Sequence, residues 1–176
     1  VRYIGCSMFP SWKMVESLWV AKELGLNRFV CEQPAYHMLD RTAEREVIPA
    51  ARSFGLAIIP WGPLCGGLLT GKYHRDQGDP DGRWKDGKDN NNREATPQAW
   101  DVIDLLRTMA DEKGCSVSQL ALAWCLRNPD VSSVITGASR GIGHYSARLF
   151  LERGWNIITC SRDDTPEACK REPKWT

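Results

Sequence analysis

Five short apolar runs, each parted from the next by an amphipathic stretch, restrict this chain's fold more than any other feature. They are Tyr3 to Cys6, Arg28 to Cys31, Leu56 to Pro60, Val131 to Thr136 and Asn156 to Cys160. Runs this short read as strands, and apolar residues at helical spacing between them read as helices. Leu56-Ala57-Ile58-Ile59-Pro60 is apolar throughout, as a strand covered on both faces should be. Alternating β and α units with short connections predict a parallel sheet with right-handed crossovers. Four or five such units fill half of a (β/α)8 barrel or part of an open doubly wound sheet. A whole barrel takes about 250 residues, and the chain has 176.

The helices carry their own punctuation. Ser11 is placed to cap a first helix with Val15, Leu18 and Trp19 on one face and Gly25 at its end. Asp40 is placed to open a second, carrying Val47, Ile48 and Ala51 and ending at Gly55, with a kink predicted at Pro49. Thr96-Pro97 starts a third that runs to Lys113 with Ile103, Leu106 and Ala110 in register. Ser116 to Gln119 forms a capping box for a fourth through Arg127, terminated by Pro129. Ile142, Tyr145 and Leu149 mark a fifth. Trp12, Trp19, Trp100 and Trp124 fall at helical positions and read as packing residues. Residues 74 to 96 are polar and glycine-rich, either a solvated loop or one that folds over a ligand.

Composition excludes several function classes. The formal charge is +1 with no basic block, so nothing points to a nucleic-acid or acidic-membrane surface. No apolar run approaches the roughly 18 to 20 residues that span a bilayer, and no secretory leader pattern is present. The seven cysteines are an odd set without C-x-x-C spacing, which predicts reduced thiols in a cytoplasmic setting rather than disulfides or a metal site. The first residue, Val1, falls in mid-strand, so the chain reads as a segment.

Two stretches carry chemistry. Ser133 to Gly143 (S-V-I-T-G-A-S-R-G-I-G) is a buried strand, a glycine-rich turn and a helix start, where main-chain N–H groups face a pyrophosphate. Trp61 to Tyr73 (W-G-P-L-C-G-G-L-L-T-G-K-Y) places an indole at the end of a strand, directly before a compact glycine-rich turn. A lone tryptophan there would be core; with the turn behind it, the ring is suited to stacking on a flat cofactor ring.

With these motifs, positions 1 to about 140 resemble the C-terminal half of an aldo-keto reductase, near the bacterial members close to the voltage-gated potassium channel beta subunits. Gly5-Cys6-Ser7, Gln33-Pro34, Asp40 with Glu44-Arg45-Glu46, the Trp61 to Tyr73 run and Leu120 to Arg127 carry the resemblance. From about Val134 to the end, the chain instead resembles the start of a short-chain dehydrogenase/reductase. Thr136, Gly137, Gly141 and Gly143 meet that family's glycine pattern, and Arg162 follows the next strand. The expected organisation is therefore an aldo-keto reductase half-barrel over 1–140, with a Rossmann-like βαβ unit over 134–176 sharing the strand 131–136.

The first resemblance implies NADP held at the C-terminal ends of the strands. Ser7 and Gln33 would bond the carboxamide and Trp61 would stack on the nicotinamide. Gly62, Pro63, Leu64, Cys65, Gly66 and Lys72 would line the phosphates, and Gly137, Ser139 and Arg140 the 2′-phosphate end. Met8 departs from the family's usual asparagine. The second resemblance implies that Gly137, Gly141 and Gly143 cradle a pyrophosphate while Arg140 and Arg162 favour a 2′-phosphate. Both imply NADP, a small carbonyl substrate and hydride-transfer chemistry. Neither catalytic set is met: the aldo-keto tetrad belongs to the other half of the barrel. No Tyr-x-x-x-Lys occurs either, since Ser7, Asp40, Gln77 and Leu149 stand four residues after Tyr3, Tyr36, Tyr73 and Tyr145. His37 and His74 read as surface or loop residues, and His144, in the first turn of the last helix, as structural or solvated. The half-barrel surfaces predict self-association.

Overall fold

The computed structural model describes residues 2–75, 84, 88, 94–137 and 158–160. Three parallel strands, β1 (Ile4–Ser7), β2 (Phe29–Gln33) and β3 (Ala57–Ile58), pair in chain order. Cys6 lies opposite Glu32, Ser7 opposite Gln33, and Glu32 opposite Ile58. Two isolated parallel bridges, Ile58 with Val131 and Trp61 with Ile135, carry the succession to β4 (Ile135–Gly137). That strand in turn pairs in parallel with β5 (Ile158–Cys160). A run of parallel neighbours in chain order, joined by helices, is a partial (β/α) barrel arrangement. The Rossmann-like C-terminal unit is not shown, because the helix expected over 142–149 lies outside the described residues.

Helix α1 (Ser11–Glu23) buries Met14, Leu18 and Ala21, an i, i+4, i+7 set facing the sheet. Gly25 follows it at φ 63, a left-handed turn that returns the chain to β2. Ser11 is not its cap: Pro10 holds that position, and Ser11 Oγ donates instead to Glu46 Oε2 at 2.8 Å. Asp40 opens no long helix either. Its carboxylate accepts from the Thr42 N–H at 3.0 Å, setting a single 3-10 turn over Thr42–Glu44. Helix α2 (Val47–Phe54) begins only afterwards, so Pro49 sits third in its first turn. An N–H there has no intrahelical partner to lose, and the predicted kink has no cause.

Helix α3 (Pro97–Lys113) starts as expected, with the Ala99 N–H donating to Thr96 Oγ1 at 3.2 Å. The capping box of α4 (Val117–Leu126) is reciprocal: Gln119 N donates to Ser116 Oγ at 3.2 Å and Ser116 N to Gln119 Oε1 at 2.8 Å. Two clusters form the core. One, with Met14, Leu18, Ile48, Ile58, Leu122 and Val134, lies between sheet and helices. The other gathers Leu68, Leu69, Tyr73, Trp84, Trp100 and Ile103. Trp100 is buried and Trp124 stacks obliquely on Tyr36 at 5.2 Å, but Trp12 and Trp19 are 66% and 48% exposed and so are not core residues. Each sits on the outer side of α1, and Lys22 lies over the Trp19 ring at 4.8 Å. Among the described residues, no helix is long and apolar enough to cross a membrane.

Candidate functional site

The C-terminal ends of β1, β2 and β3 bring three of the sequence-predicted residues to one edge. Ser7 and Gln33 are register partners, and Ser7 Oγ donates to the Gln33 carbonyl at 2.9 Å. One strand over, the Trp61 N–H donates to the Pro34 carbonyl at 3.0 Å and Trp61 bridges both Ala35 and Ile135. Side chains alternate along a strand, so the outward parity of Ser7 is shared by Gly5 on β1 and, through the register, by Cys31 and Gln33 on β2. Trp61 is 43% exposed. A large aromatic held at a strand end by two neighbouring strands, with part of its ring open, is available to a planar ligand.

The opposite parity is buried. Glu32 has no exposed surface, and its Oε1 accepts from the Phe9 N–H at 3.4 Å, fixing the segment that leaves Ser7. Its Oε2 makes no hydrogen bond. Burial, with the Glu32 carboxylate beside it, pushes the Cys6 thiol up to about 12. The sequence reading did not single out Glu32, although an acidic residue inside an apolar strand run was the signal available. Nor did it foresee the backbone of Met8, which adopts φ 57 while its side chain stays 59% exposed. Left-handed backbone costs a non-glycine residue about 1–2 kcal/mol, and asparagine less than most.

Directly after Trp61 the chain makes a compact turn. Gly62, Gly66, Gly67 and Gly71 all have positive φ, and so does Cys65 at φ 49. A side chain is strained in such conformations, which accounts for the density of glycine here. Cys65 N donates to Gly62 O and Gly67 N to Leu64 O, both at 2.9 Å. Pro63, Leu68 and Leu69 are buried beneath the turn, whereas Gly66 and Lys72 are exposed. The Lys72 ammonium stands 4.7 Å from the Tyr73 ring centroid. From α3, the Arg107 guanidinium donates to the carbonyls of Gly71 and Tyr73, on either side of Lys72. The turn is thus pinned from below and at its end, with Gly66 and Lys72 on its exposed side.

Gly137 ends β4, the strand that Trp61 bridges at Ile135. Ser139, Arg140, Gly141, Gly143 and Arg162 lie outside the described residues. His37 is half-buried in a loop, its backbone paired with Asp40, and His74 is exposed. The cysteines at 6, 31, 65, 115 and 125 are not joined in disulfides. Among the described residues, no group of three or more His, Cys, Asp or Glu is placed to hold a metal ion.

Comparison with known proteins bears on this arrangement. The profile described as "Aldo/keto reductase family" matches residues 1–147. That match passes residue 140, where the first resemblance was expected to end, and takes in Gly137, Gly141 and Gly143. A "Probable voltage-gated potassium channel subunit beta" of Oryza sativa subsp. japonica is 38% identical over 141 residues, 78% of this chain and 43% of the relative. A protein of the same description in Arabidopsis thaliana shows the same identity and coverage. An "Uncharacterized oxidoreductase" of Bacillus subtilis (strain 168) is 35% identical over 144 residues, 78% of this chain and 40% of the relative. The chain thus spans less than half the length of these curated relatives.

Proposed function

The chain belongs to the aldo/keto reductase family, and on that premise we propose that it is the coenzyme-holding portion of an NADP(H)-dependent oxidoreductase acting on small carbonyl compounds. The observation that carries this reading is the meeting of Ser7, Gln33 and Trp61 at adjoining strand ends, immediately before the glycine-rich turn. The groups present fit the coenzyme. A half-open indole suits a nicotinamide ring, a polar pair suits its carboxamide, and a turn that excludes side chains, beside Lys72, suits a pyrophosphate. When bound, the coenzyme supplies a hydride to the carbonyl carbon of the substrate.

Ser7 and Gln33 would orient the carboxamide and so decide which face of the ring meets the substrate. Gly62, Pro63, Leu64, Cys65, Gly66 and Lys72 would hold the phosphates, with Gly137, Ser139 and Arg140 toward the 2′-phosphate. None of these residues donates a proton to a developing alkoxide, and in this reading that acid comes from outside the segment. Binding without turnover is therefore the expected behaviour of this chain alone. The naming of two relatives as channel beta subunits favours a related second reading, in which bound coenzyme regulates an association. Cytoplasmic location belongs to the proposal and is supported by these cysteines not being joined in disulfides. Self-association does too, supported by apolar exposure at Tyr3 and Ile4, where β1 begins, and at the strand ends at Met8 and Trp61.

Fluorescence titration with NADPH tests the reading directly. Trp61→Ala is expected to weaken binding roughly two- to tenfold, the range of one aromatic contact, with little change in unfolding midpoint because the ring is half open. Unchanged affinity in Trp61→Ala would refute the site. If Arg162→Ala abolishes binding while Trp61→Ala leaves it intact, the working site is the short-chain-type one over 134–176.

A further inference from the structure

Trp84 lies in a stretch whose sequence is otherwise almost wholly polar or glycine, yet it is only 5% exposed. It packs in the second core cluster with Leu68, Leu69, Tyr73 and Trp100. Two hydrogen bonds fix it. Its backbone N–H donates to Tyr73 Oη at 3.2 Å, and its indole Nε1–H donates to the Cys65 carbonyl at 3.3 Å. The second bond reaches the middle of the glycine-rich turn.

We propose that Trp84 is a positioning residue for dinucleotide pyrophosphate, setting the Cys65–Gly66 peptide so that the Gly66 N–H faces the exposed side of the turn. The inference rests on the coenzyme-holding reading above. In a trans peptide the C=O and N–H point in opposite directions. A Cys65 carbonyl held inward by a buried indole therefore directs the Gly66 N–H outward, and Gly66 is exposed. The local backbone does not enforce this by itself. Cys65 and Gly66 are both left-handed, at φ 49 and φ 62, and glycine accepts either hand at little cost. An anchor at the carbonyl removes that freedom. Its donor is nearly dry, so the bond does not compete with solvent.

The test uses Trp84→Phe, which keeps the buried ring and deletes the donor. Affinity is measured for NADPH and for reduced nicotinamide riboside, which has the ring and no phosphate, together with the thermal midpoint. The expected result is a roughly two- to tenfold loss for NADPH, the span of one hydrogen bond, with riboside affinity unchanged. Equal NADPH affinity in variant and parent overturns the inference. Equal losses for both ligands also overturn it, since a merely structural role would loosen the whole site. A parent chain that binds neither ligand sinks the coenzyme-holding reading itself, a different and recognisable failure. Should Trp84→Phe not fold, Tyr73→Phe loosens Trp84 from its other bond and should weaken NADPH selectively in the same direction; no selective loss there overturns the inference.

Discussion

Gly5→Ala offers a perturbation whose sign can be worked out from opposing terms. Gly5 faces Cys31 across the β1–β2 ladder. A Cβ at position 5 would overlap Cys31 Sγ and stand 3.0 Å from the Cys31 carbonyl oxygen. The sulfur can rotate away, but the carbonyl belongs to the ladder and can retreat only if the strands part. Replacing a strand glycine by alanine would otherwise gain about 0.5–1 kcal/mol in backbone entropy. Overpacking against a neighbour that cannot repack costs about 1–3 kcal/mol. The clash wins, and the net expectation is a loss of roughly 1–2 kcal/mol. Cys31→Ala removes the sulfur alone, so Gly5→Ala in that background should cost roughly 1 kcal/mol less, a coupling typical of touching residues. Equilibrium urea unfolding of the four proteins measures this cycle. NADPH affinity should fall in Gly5→Ala and in the double variant but not in Cys31→Ala, because parting β1 from β2 separates Ser7 from Gln33. If Gly5→Ala is as stable as the parent, or if the two substitutions are additive, the reasoning about this strand pair is wrong.

Two further outcomes follow from other parts of the structure. Met8→Asn replaces an exposed side chain on left-handed backbone with the residue type that tolerates it best; it should raise stability by up to about 1 kcal/mol and add a polar group beside Ser7, read by thermal unfolding and by NADPH titration. Burial pushes the Cys6 and Cys125 thiols up to about 12 in each case, Cys6 with help from Glu32. A folded pKa above the unfolded value near 8.5 means this contribution is intact below that pH and is lost as pH rises through the folded value. Urea midpoints should therefore decline from about pH 8.5 upward, and less steeply in Cys125→Ala; a flat profile would contradict the burial of these thiols.

The fold was largely legible because its signals are periodic and local. Apolar runs located the strands, and Thr96 and the Ser116–Gln119 pair marked two helix starts, since a cap is chemistry between near neighbours. Ser11 and Asp40 misled for a related reason. Each is a competent cap, but a tertiary partner, Glu46, took the first and a tight local turn took the second. Trp12 and Trp19 misled because an amphipathic pattern identifies a stripe without saying which aromatic lies at its centre. At the site, the proximity of Ser7, Gln33 and Trp61 required only that three strands be parallel neighbours in chain order. Trp84, Arg107 and Glu32 were not legible there. Their importance comes from contacts with carbonyls and N–H groups of segments distant in sequence, and no spacing rule encodes such contacts.

The bridges joining β3 to β4 carry a consequence of their own. From Ile58 to Trp61 one strand advances three residues, while from Val131 to Ile135 its neighbour advances four. The surplus residue between 131 and 135 is taken up before β4 begins, and with it the two backbones meet again at Trp61 and Ile135. Removing any one of Ser132, Ser133 or Val134 would invert every later side chain of that strand. Single-codon deletions that surface loops absorb freely should be strongly destabilising here.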